Sequence, residues 1–178
     1  MKIVFTLFCC FYGFTAFCCN CLGQSSPEIE YKKSDVIFVG AITSSRIVKI
    51  WSDTTYARFA YKNSNSTLSY EEFKYQSEFF GSFMLEYVFE IDTLYKGEFS
   101  TDTLVIRTGF GKGDCGFKFE YGVDYLVYAI SEYKINYTQP KLGRTEADLH
   151  GLYRTDICSR TGDILSRKED LEYLTEQK

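Results

Sequence analysis

The stretch "FMLEYVFEIDTLYKGE", residues 83–98, sets Phe83, Leu85, Tyr87, Phe89 and Ile91 at alternate positions, with Glu86, Glu90 and Asp92 at intervening ones. Successive side chains on a strand point to opposite faces. A period of two sustained over this length therefore predicts a long strand with one apolar face in a core and the acidic face toward water. Lys96-Gly97 marks a turn, and "TDTLVIRTG", residues 101–109, supplies the hairpin mate.

Further strands lie on either side. Upstream, "DVIFVGAIT" (35–43) is β-branched and apolar, as a core strand is, and "RIVKIW" (46–51) alternates and continues or pairs with it. Downstream come a Gly-rich loop, "GFGKGDCGF" (109–117), the strand "VDYLVYAI" (123–130), and a last short strand within "LHGLYRTDIC" (149–158). Pro27 followed by acidic residues in "SSPEIEYKKSD" suits one or two turns of helix. Ile164, Leu165, Leu171 and Leu174 suit an amphipathic helix at about 163–174. Five strands, two small helices and 18% aromatic residues describe an all-β barrel or sandwich, and residues 19–178 are enough for one domain with a sizeable core. Residues 52–82 are polar, rich in Tyr, Ser and Asn, and lack a sustained period. They read as an exposed excursion of ~30 residues suited to protein recognition.

The amino terminus carries an export signal. Lys2 is the only charge ahead of the apolar run Ile3 to Phe17, which is long enough for a signal-peptide core and short of the ~20 residues of a membrane span. Ala16 and Cys18 are the small residues a signal peptidase takes three and one positions before its cut, so residues 1–18 leave and Cys19 leads the mature chain. A lipoprotein cut needs a small residue immediately ahead of the acylated cysteine. Phe17 or Cys18 stands there instead, which disfavours a lipid anchor. The expected location is extracellular or periplasmic, and the expected state a monomer.

Of seven cysteines, Cys19, Cys21, Cys115 and Cys158 remain after processing, and an even set in an exported chain reads as disulfides. A Cys19–Cys21 bridge would close a strained ring, so each of these two is expected to reach a distant partner. Structural zinc takes its cysteines in C-x₂₋₄-C pairs, whereas Cys115 and Cys158 stand singly. Acidic residues outnumber basic ones, 24 to 20, with no Lys/Arg cluster, which argues against a nucleic-acid partner.

Enzyme motifs are not evident. His150 is the single histidine and has no second histidine with which to share a metal, and there is no nucleophile elbow. In "GFGKGDCG" Lys112 is followed by Gly113, which breaks the phosphate-loop pattern, and Asp114, Glu120 and Asp124 match no calcium-loop spacing. No enzymatic activity and no cofactor are expected. Asn65 and Asn136 head glycosylation sequons.

Cys19-x-Cys21 at the processed terminus, "SDVIFVGAI", "LYKG", "DCGFKFEYGVDYLVYA" and "TDICSRT" together resemble the netrin-type (NTR) module of the tissue inhibitors of metalloproteinases, over nearly all of the mature chain. The resemblance implies an OB-fold-like five-stranded Greek-key barrel with short flanking helices, and disulfides Cys19–Cys115 and Cys21–Cys158. It also implies that Cys19 chelates the catalytic zinc of a target metalloprotease in trans, through its α-amine and carbonyl oxygen, while Asn20 enters the specificity pocket and Cys21 staples the arm. A zinc-bound water is the nucleophile of such enzymes, so occupying its position stops hydrolysis. The animal inhibitors carry a third bridge and a second domain, and usually Thr or Ser at the pocket position. This chain looks like a reduced, single-domain relative of a kind expected in bacteria. The alternative is a secreted or lipid-anchored NTR-type interaction module that inhibits no protease. Edman degradation of the exported protein is expected to begin at Cys19, with an intact mass that lacks a diacylglyceryl increment.

Overall fold

A computed structural model describes residues 21, 23, 25–49, 67, 69, 71–72, 83–111, 115–132 and 151–177. The chain is mostly β. Its strands are β1 (Val36–Lys49), β2 (Phe83–Lys96), β3 (Thr103–Thr108), β4 (Asp124–Ser131), β5 (Leu152–Arg154) and β6 (Gly162–Asp163). The sheet order is β1-β2-β3-β5-β4-β6, and β1 also pairs with β4, so five strands close into a ring with β6 added at β4. The pairings are antiparallel except β3 with β5. The stretch at 35–43 and the described part of 46–51 join into one strand ending at Lys49, and β3, within residues 101–109, is the expected mate of β2.

The ring closes because the first part of β1 is paired on both edges. Residues from Ile37 to Ala41 face β2 on one side and β4 on the other. A strand that serves two neighbours must coil, and register shifts at Ile37/Phe38, Val39/Gly40 and Ile42/Ser44 provide the bends. Gly40 is required at one of them, since a Cβ there would run into the Glu90 carbonyl of β2.

Inside the ring Val36, Phe38 and Ile42 of β1 meet Tyr87 and Phe89 of β2, Leu104 and Ile106 of β3, and Tyr125, Val127 and Ala129 of β4. The segment "FKF" also turns inward. Phe119 packs edge-on to Tyr87, Phe89 and Tyr125, with ring centroids 4.9–5.1 Å apart. Such aromatic pairs contribute about 0.5–1.5 kcal/mol each beyond their buried area. A second cluster forms outside the ring, where Ile37, Leu126 and Tyr128 meet Leu174, with Tyr31, Leu171 and Tyr173 around them. Both faces of β1 and β4 are thus covered there, which explains why "DVIFVG" and "DYLVYAI" are continuous apolar runs while β2 alternates.

The covering helices are α1 (Pro27–Lys33) and α2 (Lys168–Glu176). Pro27 opens α1 and the Ser26 hydroxyl accepts the Ile29 N–H. The second helix lies later than the 163–174 expected from its apolar spacing. Residues 162–163 pair with β4, Ile164–Ser166 form a 3₁₀ turn capped by the Asp163 side chain at Ser166, and the α-helix begins at Lys168. Leu165 faces solvent and only Leu171 and Leu174 join the apolar contact, so the spacing that suggested one helix mixes two elements.

Glu86 also departs from the expectation of a water-facing acidic row. It is buried, clasped by Arg46 Nε at 2.6 Å and Arg107 Nε at 2.9 Å, its register partners on β1 and β3. Arg107 reaches Glu132 as well, at 3.2 Å. Opposite charges in register across three strands allow a carboxylate to be covered without being left unpaired.

Gly40→Ala is expected to lower stability by about 1–3 kcal/mol, the range for forcing extra volume into a packed position, read as a lower urea midpoint at unchanged slope.

Candidate functional site

The described cysteines, Cys21, Cys115 and Cys158, lie close together at the loops that follow β3 and β5. The loop after β3 has a closed base, because Thr108, itself buried, accepts the Phe117 N–H at 2.7 Å and the Gly116 backbone lies against that of Gly109 with no room for a side chain. Cys115 sits at the end of this loop with φ 59, a left-handed conformation uncommon for a non-glycine residue. The turn after β5 is shaped by Asp156, whose Oδ1 accepts the N–H groups of Cys158 and Ser159 at 2.9 and 3.0 Å. A backbone bond joins the two loops, Ile157 N–H to the Cys115 carbonyl at 2.9 Å. The half-cystines Cys115 and Cys158 are therefore neighbours in space although 43 positions apart in the numbering.

Cys21 is bonded to Cys158, with Cα atoms 5.2 Å apart. This bridge agrees with the pairing the resemblance implies. Cys115 is also disulfide-bonded. Its expected partner Cys19 lies outside the described residues, as does Asn20.

A few residues further along the arm a second attachment appears. Arg160 Nη1 donates to the Ser25 carbonyl at 2.6 Å, while its Nε and Nη2 reach the two carboxylate oxygens of Asp170 at 2.6 and 2.7 Å. Tyr128 donates its hydroxyl to Asp170 Oδ1 at 2.9 Å. Asp170 and Tyr128 are both about 1% exposed, so this carboxylate works away from water and is satisfied by three donors. Burial first, then the Asp170 charge, push the Tyr128 phenol well above its ordinary pKa, which keeps it a donor. The hydrogen bond to Asp170 likewise raises Arg160 above the usual guanidinium value in spite of its burial. Below this pair Thr155 and Thr161 hold β4 in place through the Tyr128 carbonyl, at 2.8 and 3.1 Å. On the other side of the arm Ser25 Oγ donates to the buried Glu30 of α1.

The expected positions are distributed as follows. Cys21, Cys115 and Cys158 come together, joined by two neighbouring loops. Glu120 is exposed just ahead of the turn at 121–122, and Asp124 is exposed as the first residue of β4. Among the described residues no group of three His, Cys, Asp or Glu side chains is placed to hold a metal ion, and no helix is long and apolar enough to cross a membrane. His150, Lys112, Asp114, Asn65 and Asn136 lie outside the described residues. Of the 52–82 excursion only residues 67, 69, 71 and 72 are described, and they are exposed. There Ser69 and Glu72 cap each other's backbone N–H.

Sequence reasoning gave Ser159, Arg160 and Thr161 no role beyond their place in "TDICSRT", and it gave Ser25 and Asp170 none beyond their place in the two expected helical segments. An arginine two positions after a half-cystine carries no local sign of burial. The only available cue was Asp170 next to Leu171 in a helix whose apolar side was already assigned.

No family model matches the sequence, and no curated protein matches it either.

Replacing Cys21 and Cys158 together by Ser is expected to cost about 2–5 kcal/mol, because the bridge constrains an unfolded chain across 137 positions. A thermal melt of the oxidised double variant beside the parent measures it.

Proposed function

We propose that the protein is a secreted inhibitor of a zinc metalloendopeptidase, acting through the amine and carbonyl oxygen of Cys19 once the signal peptide is removed. The observation that carries this reading is the attachment of the amino-terminal arm, covalently at Cys21 to Cys158 and by a charge-assisted hydrogen bond at Ser25 to Arg160. The half-cystine Cys115 is held alongside by the Ile157 backbone. A chelator works by presenting two donor atoms in a fixed geometry, and a ligand ordered before binding loses less entropy on association. Two features give further support. Five strands closed into a ring are what a reading as an OB-type barrel, the fold expected from the resemblance, requires. The Cys21–Cys158 bridge is one of the two that the resemblance implies. Cystine bonding suits an oxidising compartment, in keeping with export.

The α-amine has an ordinary pKa of ~7.7–8, so a useful fraction is neutral and able to donate its lone pair near neutral pH. Together with the Cys19 carbonyl oxygen it would close a five-membered chelate on the enzyme's zinc and displace the water that attacks the substrate. Asn20, next in line, would enter the pocket beside the zinc and bias the choice of target. No group on this chain performs bond-breaking chemistry in this scheme. The alternative, an NTR-type interaction module, keeps the same stapled arm without zinc chelation.

One added alanine ahead of Cys19 turns the amine into an amide and separates the two. The extended protein is expected to fold with an unchanged melting temperature and to lose inhibition of a purified zinc endopeptidase that the parent inhibits. Equal inhibition by both proteins would exclude chelation by Cys19.

A further inference from the structure

The arm is attached twice within a short length of chain, and the second attachment carries an assignment of its own. We infer that Arg160 is the positioning residue of the amino-terminal arm, fixing the direction in which residues 21–25 leave the barrel by holding the Ser25 carbonyl. The inference rests on the proposed inhibition for its functional consequence and on the structure alone for its geometry.

Cys21 is tied to Cys158 and Ser25 to Arg160, so two short segments, 21–25 and 158–160, are joined near both ends. A segment tied at one point can pivot about it, whereas one tied at two points has its direction set. The second tie is stiff because the guanidinium cannot turn. Two of its nitrogens are taken by Asp170 in a bidentate pair, and Asp170 is held by Tyr128 from the ring wall and by its own place on α2. Only Nη1 is left to meet Ser25, and it does so at 2.6 Å. Arginine suits the task because its donors lie in one rigid plane, while a lysine would offer a single ammonium on a flexible stem.

A role in packing alone does not account for the arrangement. Buried ion pairs are often replaceable by apolar residues without loss of stability, so the pair is not the most stabilising way to fill this space. What it supplies that a Met–Leu pair would not is a directed donor facing the arm. The carbonyl of Ser25 is held by Arg160 and its hydroxyl by Glu30, which leaves that residue fixed from both sides.

Two variants of the full mature protein test this. Arg160→Lys retains a cation beside Asp170 and loses the planar fork; Arg160→Met with Asp170→Leu removes both charges together and leaves neither one unpaired. Melting temperature is followed for each, together with amide hydrogen exchange by mass spectrometry on peptides covering 19–26, β1 and β4, and inhibition of a zinc endopeptidase. Both variants are expected to keep native protection in β1 and β4 while exchange in 19–26 rises roughly tenfold or more, the signature of local opening. Inhibition should weaken by about the same factor, as the population competent to bind falls. Unchanged exchange in 19–26 in both variants would overturn the inference, and so would raised exchange with inhibition fully retained. If exchange rises but the parent protein inhibits no zinc endopeptidase, the positioning role stands and the inhibitor reading fails.

Discussion

Everything in this molecule depends on β1 being paired along both of its edges. An edge strand presents unpaired N–H and C=O groups, and closing the ring is the arrangement that removes them where β1, β2 and β4 meet. Closure has a steric requirement, met by three register shifts in β1 and by a glycine at the closest approach to β2. It also fixes an inside and an outside. The inside is filled by aromatic and β-branched side chains, with Phe89 wholly buried, and a side chain of this size gains about 1.5–3 kcal/mol from full burial.

The outside of the ring is where the polar chemistry lies, in two separate ion networks. One runs across β1, β2 and β3 as Arg46, Glu86 and Arg107, with Glu132 beside them. The other joins Arg160 and Asp170 with Tyr128 and the Ser25 carbonyl. Both bury carboxylates, which is tolerated because Glu86 and Asp170 each have more than one donor. They differ in what they connect. The first links neighbouring strands that the ladder already joins. The second links the amino-terminal arm to the helix near the other terminus, and nothing in the ladder would do that.

The functional proposal follows from this difference. The ring supplies a base, the adjacent loops bring the half-cystines Cys115 and Cys158 near each other, and the arm is tied to the second of these loops at Cys158 and Arg160. A device that acts by presenting its own terminal amine needs stiffness at the terminus, where chains ordinarily fray. The covalent bond at Cys21 and the hydrogen bond at Ser25 hold the arm close to Cys19, the first residue of the proposed mature chain.

Much of the fold was legible in the sequence because strand periodicity is a local property. The alternation of residues 83–98 marked β2, the turn at Gly97 marked its hairpin with β3, and the apolar runs at 35–43 and 123–130 marked β1 and β4 as strands. Pro27 and the acidic residues after it marked α1. What the sequence alone could not decide is whatever depends on residues far apart in the chain. Closure through β1–β4 and the late start of α2 are set by pairing with β4. The burial of Glu86 follows from which arginines lie in register with it. The clamp on the amino-terminal arm joins Ser25, Tyr128, Arg160 and Asp170 across most of the polypeptide. The charged members, Glu86, Arg160 and Asp170, read as ordinary surface residues until the closed ring brings their partners within hydrogen-bond distance, because a buried charge is stable only beside its partner, and the partner is chosen by the tertiary structure.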